Sequence, residues 1–281
     1  MIHSDWHIHS EFSYDAALPL KTLIQRAREQ GLRRFGVTDH ANYNDEKFLG
    51  DLRASAKNVK LMQAECPEMI LGVELTPIAK PEFEYIAKAG TREGYIPTII
   101  DKPYDIELAA SKEELKALGV RYAIGASHWR VDVADRKNAD NSLENLINEW
   151  YRQQMWLACD DRVTVLGHPW YHGGGIWYED FSVIPHSMNM DIAAALKENG
   201  KYVECNVGVI CSAKTSEKFR NQYAEFLREL FEMGIPVTYG SDCHGKPEGE
   251  YPDRRGAIEK YLAKVGFTDG DISEIAEDKL W

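Results

Sequence analysis

The 281-residue chain lacks any apolar run long enough to cross a bilayer. Its first residues also lack the basic stretch followed by an apolar stretch that marks a secretory signal. No block rich in lysine and arginine stands out, and the formal charge is −12. Non-specific binding to nucleic acid needs a basic footprint that displaces counterions, so nucleic acid is not an expected partner. The five cysteines, Cys66, Cys159, Cys205, Cys211 and Cys243, are odd in number and show no CxxC spacing. This argues against a disulfide framework or a zinc ribbon and for the reduced thiols of a cytoplasmic protein. Repeats, low-complexity tracts and Pro/Gly/Ser linkers are also missing, which favours one domain over residues 1–281. A hydrophobic fraction of 44% is enough for a sizeable core. No membrane partner is expected, and composition leaves the oligomeric state open.

Histidine is present in an uneven way. The chain has nine, and His3, His7 and His9 fall within "MIHSDWHIH". In an extended strand residues two apart share a side, so His7 and His9 would stand together with Ile8 facing away. Such a pair can chelate a metal ion or simply decorate a wet strand. The remaining pattern decides between these. Short β-branched runs ("RRFGVTDH", "MILGVELT", "RYAIGASHW", "VTVLGHPW", "KYVECNV", "IPVTYGSDCH") alternate with helical stretches such as "LKTLIQRAREQG" and "SLENLINEWYRQQMWLA". Strand–helix alternation predicts a parallel sheet, and the length suits a single α/β barrel, whose strands all end at one face.

Six predicted strands end in metal-capable side chains: His7 and His9, Asp39 and His40, Glu74, His128, His168, and Asp242 with His244. One histidine at a strand end is usually structural, but six strands sharing the feature call for a common cause. With Asp15 the set is too large for one ion, because zinc commonly takes four ligands. Two or three divalent transition metals are implied. Glu74, the lone acid at its strand end, is the natural bridge, and nitrogen–oxygen ligation without thiolates suits Zn, Mn or Fe.

HxH at the first strand, TDH at the second, a lone glutamate, two later single histidines and a final SDxH together resemble the PHP (polymerase and histidinol phosphatase) family. The resemblance implies a distorted (β/α)7 TIM-like barrel with up to three metal ions. It further implies a first site of His7, His9, Glu74 and Asp242, a second of Glu74, His128 and His168, and a third of His40, His244 and Asp15. Glu74, Asp242 and His244 would be the catalytic set. The phrases "YAIGASH", "ECN" and "GIPVTYGSDCH" are most similar to the histidinol-phosphate phosphatase branch. The segment at about 75–122 departs from it. It separates Glu74 from His128 by 54 positions (128 minus 74) and reads as an insertion that could fold over the barrel mouth. The implied reaction is hydrolysis of a small phosphomonoester, with L-histidinol phosphate as the candidate, by a hydroxide held between metals.

A phosphorylated substrate needs further contacts. Arg130, Trp129 and His172 are the chosen candidates, with Arg136, Lys214 and Arg254 as further cations; each also reads as surface charge or rim packing. Trp170, Tyr171 and Trp177 could wall the pocket or pack the barrel rim. Asp39 faces away from His40 and reads either as an orienting group or as barrel polarity. Ser241 and Cys243 lack an activating base, and His3 and His186 read as structural. Two other readings compete: an amidohydrolase-like enzyme acting on a C–N or ester bond, and a non-catalytic metal-binding module.

Overall fold

The computed structural model describes residues 1–97, 102–133, 139–171, 177–245 and 250–281. Seven strands form the sheet: β1 (Ser4–Asp5), β2 (Arg34–Val37), β3 (Met69–Leu75), β4 (Tyr122–Gly125), β5 (Val165–Leu166), β6 (Tyr202–Asn206) and β7 (Val237–Gly240). They pair in chain order and all in parallel. The two ends of the sheet then meet. Trp6 N donates to Tyr239 O at 3.0 Å, Asp242 N to His7 O at 2.8 Å and His9 N to Cys243 O at 3.0 Å. The single domain is thus the expected (β/α)7 barrel, closed by the bonds between its first and last strands.

Helices α1 (Leu20–Glu29), α2 (Glu46–Met62), α3 (Lys80–Ala89), α4 (Lys112–Leu118), α5 (Leu143–Cys159), α6 (His186–Glu198), α7 (Val207–Cys211), α8 (Glu217–Glu232) and α9 (Arg255–Lys264) lie between and after the strands. Their starts follow from sequence. Asp45, Ser111, Ser142 and Ser216 accept hydrogen bonds from backbone N–H groups that the first turn would leave unpaired. After α1, Gly31 takes the left-handed conformation (φ +67°) that favours glycine. The apolar helix faces, including Leu23, Leu52, Val59, Trp150, Leu157 and Leu227, pack on outward strand residues such as Phe35, Val37, Leu71, Val73 and Val203.

Inside the barrel a second apolar layer joins Trp6, Ile70, Tyr122, Ile124, Val165 and Tyr202 with Ile275 and Leu280 of the C-terminal tail. The tail is tied on by Ser273 N to Val237 O (2.7 Å), Ala276 N to the Tyr202 hydroxyl (3.0 Å) and Trp281 N to Arg121 O (2.6 Å). Tyr122 reaches across the interior and donates to Trp6 O at 2.6 Å. A Cβ at Gly36 would stand 1.7 Å from its hydroxyl, and one at Gly72 would stand 2.6 Å from its ring. These glycines make room for that crossing.

Within 75–122, Ile78–Ala79 pairs antiparallel with Ile106–Glu107. Helix α3 packs Ile86 and Phe83 against Tyr43, Phe48 and Trp129, so this segment lies beside the strand ends that carry His40 and His128. Among the described residues no helix is long and apolar enough to cross a membrane, and all five cysteines are free thiols.

Candidate metal centre

Residues above the apolar layer follow from the pleat. Glu74 follows Ile70 and Gly72 at intervals of two residues, His128 follows Ile124 and Ala126 in the same way, and Asp242 stands two residues after Gly240. The first strand departs from this rule. Trp6 belongs to the interior apolar layer, yet His7 also faces inward, touching Glu74 and Glu204. The alternation slips by one residue between them. Asp5 holds the slip by accepting from His7 N (3.2 Å), Ser241 N (2.9 Å) and the Tyr251 hydroxyl (2.5 Å). Beyond it His7 and His9 share the inner side while Ile8 packs in the outer core. The second strand also differs from its expected unbroken form. It leaves the ladder at Thr38–Asp39 and resumes at His40–Ala41, which pairs with Glu74–Leu75.

Glu74 is fully buried, and five imidazoles converge on it. His7 Nε2 and His9 Nε2 lie 3.3 Å from Oε2, and His40 Nδ1 lies 2.9 Å from the same oxygen. His168 Nε2 and His128 Nε2 lie 3.0 and 3.3 Å from Oε1. Asp242 Oδ1 closes one side at 3.6 Å from His7 Nε2 and 3.3 Å from His9 Nε2. On the outer side Asp15 Oδ2 stands 3.5 Å from His40 Nε2 and 3.3 Å from His244 Nε2. Three groups have ligand atoms close enough to share an ion: His7, His9 and Asp242; His40, Glu74 and His128; His9, His40 and His244. All nine residues chosen from the sequence as metal ligands therefore meet at one end of the barrel. The grouping differs from the expected one: His9 and His40 each fall in two groups, Glu74 falls in one, and His168 and Asp15 fall in none.

Four imidazoles are fixed through the ring nitrogen that faces away from the centre. His7 Nδ1 bonds to Glu204 Oε1 (2.7 Å), His9 Nδ1 to the Ser13 hydroxyl (3.3 Å), His128 Nδ1 to the Thr76 hydroxyl (2.9 Å) and His244 Nδ1 to Asp242 O (3.0 Å). Holding Nδ1 in this way aims Nε2 at the centre and selects its tautomer. Asp39 supports the same region from behind. It accepts from Ser10 N (2.6 Å), Ser10 Oγ (2.7 Å) and Ser55 Oγ (2.6 Å), anchoring the turn after His9 to α2.

Burial opposes every charge here, so the directions of the proton equilibria report which partners prevail. Burial would lower His7, but Glu204, Glu74 and Asp242 hold it well above the usual imidazole range. Glu74 stays well below the carboxylate range despite burial, because His40, His7 and His128 surround it. Asp242 is likewise held low by His7 and His9. His40 is lifted to about 10 by Glu74 and Asp15, whereas burial, with His40 and His244 alongside, drives His9 down to about 3.

These residues fit divalent cations. His7 Nε2 and His9 Nε2 lie 3.1 Å apart and face the same two carboxylate oxygens. Glu74 Oε2, His40 Nδ1 and His168 Nδ1 are buried without a hydrogen-bond partner among the described residues. His40 Nδ1 is close to Glu74 Oε2 but out of line for a hydrogen bond. Buried lone pairs aimed at one another are costly unless a cation or proton lies between them.

The residues chosen for substrate contact have mixed placements. Trp129 stacks on Tyr43 (5.5 Å between centroids, 11° between planes) and touches the His128 ring at 5.9 Å. Tyr171, 37% exposed, stands 5.6 Å from the His168 ring, while Trp170 and Trp177 are buried in the outer core. Arg130 differs from its expected role. It is 6% exposed and grips Asp132 through two bonds (2.9 and 2.6 Å), and it also donates to Asp140 O and Asn141 Oδ1. That guanidinium is turned toward Asp132, Asp140 and Asn141. His172 and Arg136 lie outside the described residues. A cavity of about 270 Å³ opens beside Asp242 and His244, lined also by Glu250, Pro252 and Arg254. Glu204 was not among the expected site residues; its signal is an acid between the apolar Val203 and Cys205 in the strand "YVECN".

The PHP domain model matches residues 5–208. An uncharacterized protein of Methanocaldococcus jannaschii is 21% identical over 276 residues, 98% of this chain and 94% of its own. A probable histidinol-phosphatase of Thermotoga maritima is 27% identical over 64 residues, 23% of this chain and 28% of its own. Among solved structures, histidinol phosphate phosphatase from Lactococcus lactis, complexed with zinc, L-histidinol and phosphate, superposes with a TM-score of 0.65 at 17% identity. That alignment covers 99% of this chain and 98% of the other.

Proposed function

The chain belongs to the PHP domain family, and from that premise we propose that it is a metal-dependent phosphomonoesterase acting on a small phosphorylated alcohol. The observation that carries the reading is the convergence of five imidazoles on the buried Glu74 carboxylate, with Asp242, Asp15 and His244 around it. His7, His9 and Asp242, then His40, Glu74 and His128 with His168, and finally His40, His244 and Asp15 would hold two or three divalent ions. Zn, Mn or Fe suits this donor set. Divalent ions held by these residues would supply Lewis-acid chemistry toward a phosphoryl oxygen and a source of activated water.

The chain's own groups do the rest. Glu74 and Asp242 are held in the ionised form that ligation needs. Ser13, Thr76 and Glu204 keep the imidazoles oriented before substrate arrives, so no reorganisation is required during the reaction. Arg254, in the cavity beside Asp242 and His244, offers a cation to the anionic substrate. Trp129 and Tyr171 offer flat walls to its organic part. L-Histidinol phosphate is the candidate substrate, supported by the short match to a probable histidinol-phosphatase and by the barrel shared with a histidinol phosphate phosphatase.

A metal-supplemented screen of phosphomonoesters, histidinol phosphate included, tests the reading with phosphodiesters and amides as controls. Hydrolysis confined to phosphomonoesters is the expected result. Activity on amides alone would point to amidohydrolase-type chemistry, and none at all to a non-catalytic module.

A further inference from the structure

Glu204 touches the centre from below and is 1% exposed. Its Oε1 accepts from His7 Nδ1 at 2.7 Å; its Oε2 accepts from His168 N at 2.5 Å and from Asn206 Nδ2 at 3.2 Å. The same Asn206 amide reaches Asp242 Oδ2 at 3.4 Å. One carboxylate thus connects three residues of the centre that come from three different strand ends. Its oxygens are occupied by these donors, which leaves it outside the ligand set.

Two further features fit that position. Among the described residues, His168 (φ +24°) and Asp242 (φ +52°) are the non-glycine residues with positive φ, a region L side chains rarely adopt. Such a backbone persists only where surrounding bonds hold it, and the Glu204–Asn206 pair supplies a bond to each. The barrel wall is also cut away for this carboxylate. A Cβ at Gly240 would lie 1.7 Å from Glu204 Oε1 and 2.8 Å from the His7 Cβ. Glycine at that point lets the side chain cross to His7.

We propose that Glu204 is a positioning residue that couples the His7–Asp242 side of the centre to the His168–Glu74 side, so that its loss weakens both together. The proposal rests on the metal reading above and not on the identity of the substrate. Fixing Nδ1–H of His7 leaves the Nε2 lone pair facing the centre, and pinning His168 N sets where that imidazole can reach.

The test is zinc titration of the chelator-stripped full chain, comparing the wild type with Glu204→Gln. Glutamine replaces one of the two oxygens by an NH2 group, which would set a donor against either His7 Nδ1–H or His168 N–H. The expected result is a roughly 10–100-fold loss of affinity for more than one equivalent, with the melting temperature of the metal-free form close to wild type. Wild-type affinity and stoichiometry in the variant would overturn the inference while leaving the metal reading standing. Absence of binding by the wild type itself would remove both. Should Glu204→Gln fail to fold, Glu204→Asp decides the matter. Its shorter carboxylate keeps the charge but cannot span to both partners, so an affinity loss is again expected and wild-type affinity is again contrary.

Discussion

In its lower half the barrel interior is filled by the apolar cluster of Trp6, Ile70, Tyr122, Ile124, Val165 and Tyr202; in its upper half, toward the C-terminal strand ends, it is filled by His7, His9, His40, Glu74, His128, His168 and Asp242. The same strands, one or two pleats apart, build both. In the lower half stability comes from apolar burial, with the tail residues Ile275 and Leu280 as a plug. In the upper half burial is a cost, offset by hydrogen bonds and by charges of opposite sign. The lower half is therefore a floor that keeps strand ends in register, and the upper half gathers groups that could hold cations. Glu204 rises between the two, and Gly36, Gly72 and Gly240 open the space that it and Tyr122 occupy.

Breaking the upper half should have the largest functional effect. Glu74→Gln removes a charge that faces five imidazoles; it should abolish turnover and lower the metal content by more than one equivalent, as read by assay and elemental analysis. Near-native hydrolysis by that variant would contradict the bridging role. Stripping metals with a chelator should lower stability by about 4 kcal/mol relative to protein in thousandfold excess of metal over Kd. Calorimetry would measure this, and hydrogen exchange should rise at residues 7–9 and 240–244 but not at 122–125. In the lower half, Tyr122→Ala should cost about 3–5 kcal/mol of unfolding free energy while leaving the metal stoichiometry of the folded protein unchanged. Tyr122→Phe, which deletes only the bond to Trp6 O, should cost about 1 kcal/mol in denaturant titration. If either Tyr122 variant lost metal instead, the two halves would not be separable.

The upper half was the more legible from sequence. Histidine and acid are rare in apolar strands, so each strand end announced itself, and parallel pairing gathers such ends at one face. Asp15, in a turn with no strand to point it, was the least determined, and the fold places it between His40 and His244. What could not be read depends on contacts between distant segments. The slip between Trp6 and His7 is fixed by Asp5 bonding to Ser241 and Tyr251, and the break at Thr38–Asp39 goes with Asp39 turning to Ser10 and Ser55. Arg130 looked like a cation next to a ligand, but Asp132 two residues on takes its guanidinium. The tail's role as a plug has no local signature, because Ile275 and Leu280 become core only once the barrel exists.

The most direct measurement is anomalous diffraction from crystals of the full chain grown with zinc. Convergence of distant strand ends predicts peaks bounded by His7, His9 and Asp242 and by His40, Glu74 and His128, at roughly 2.0–2.2 Å from nitrogen and oxygen donors. No peak at that end of the barrel, or zinc bound only at other residues, would contradict it.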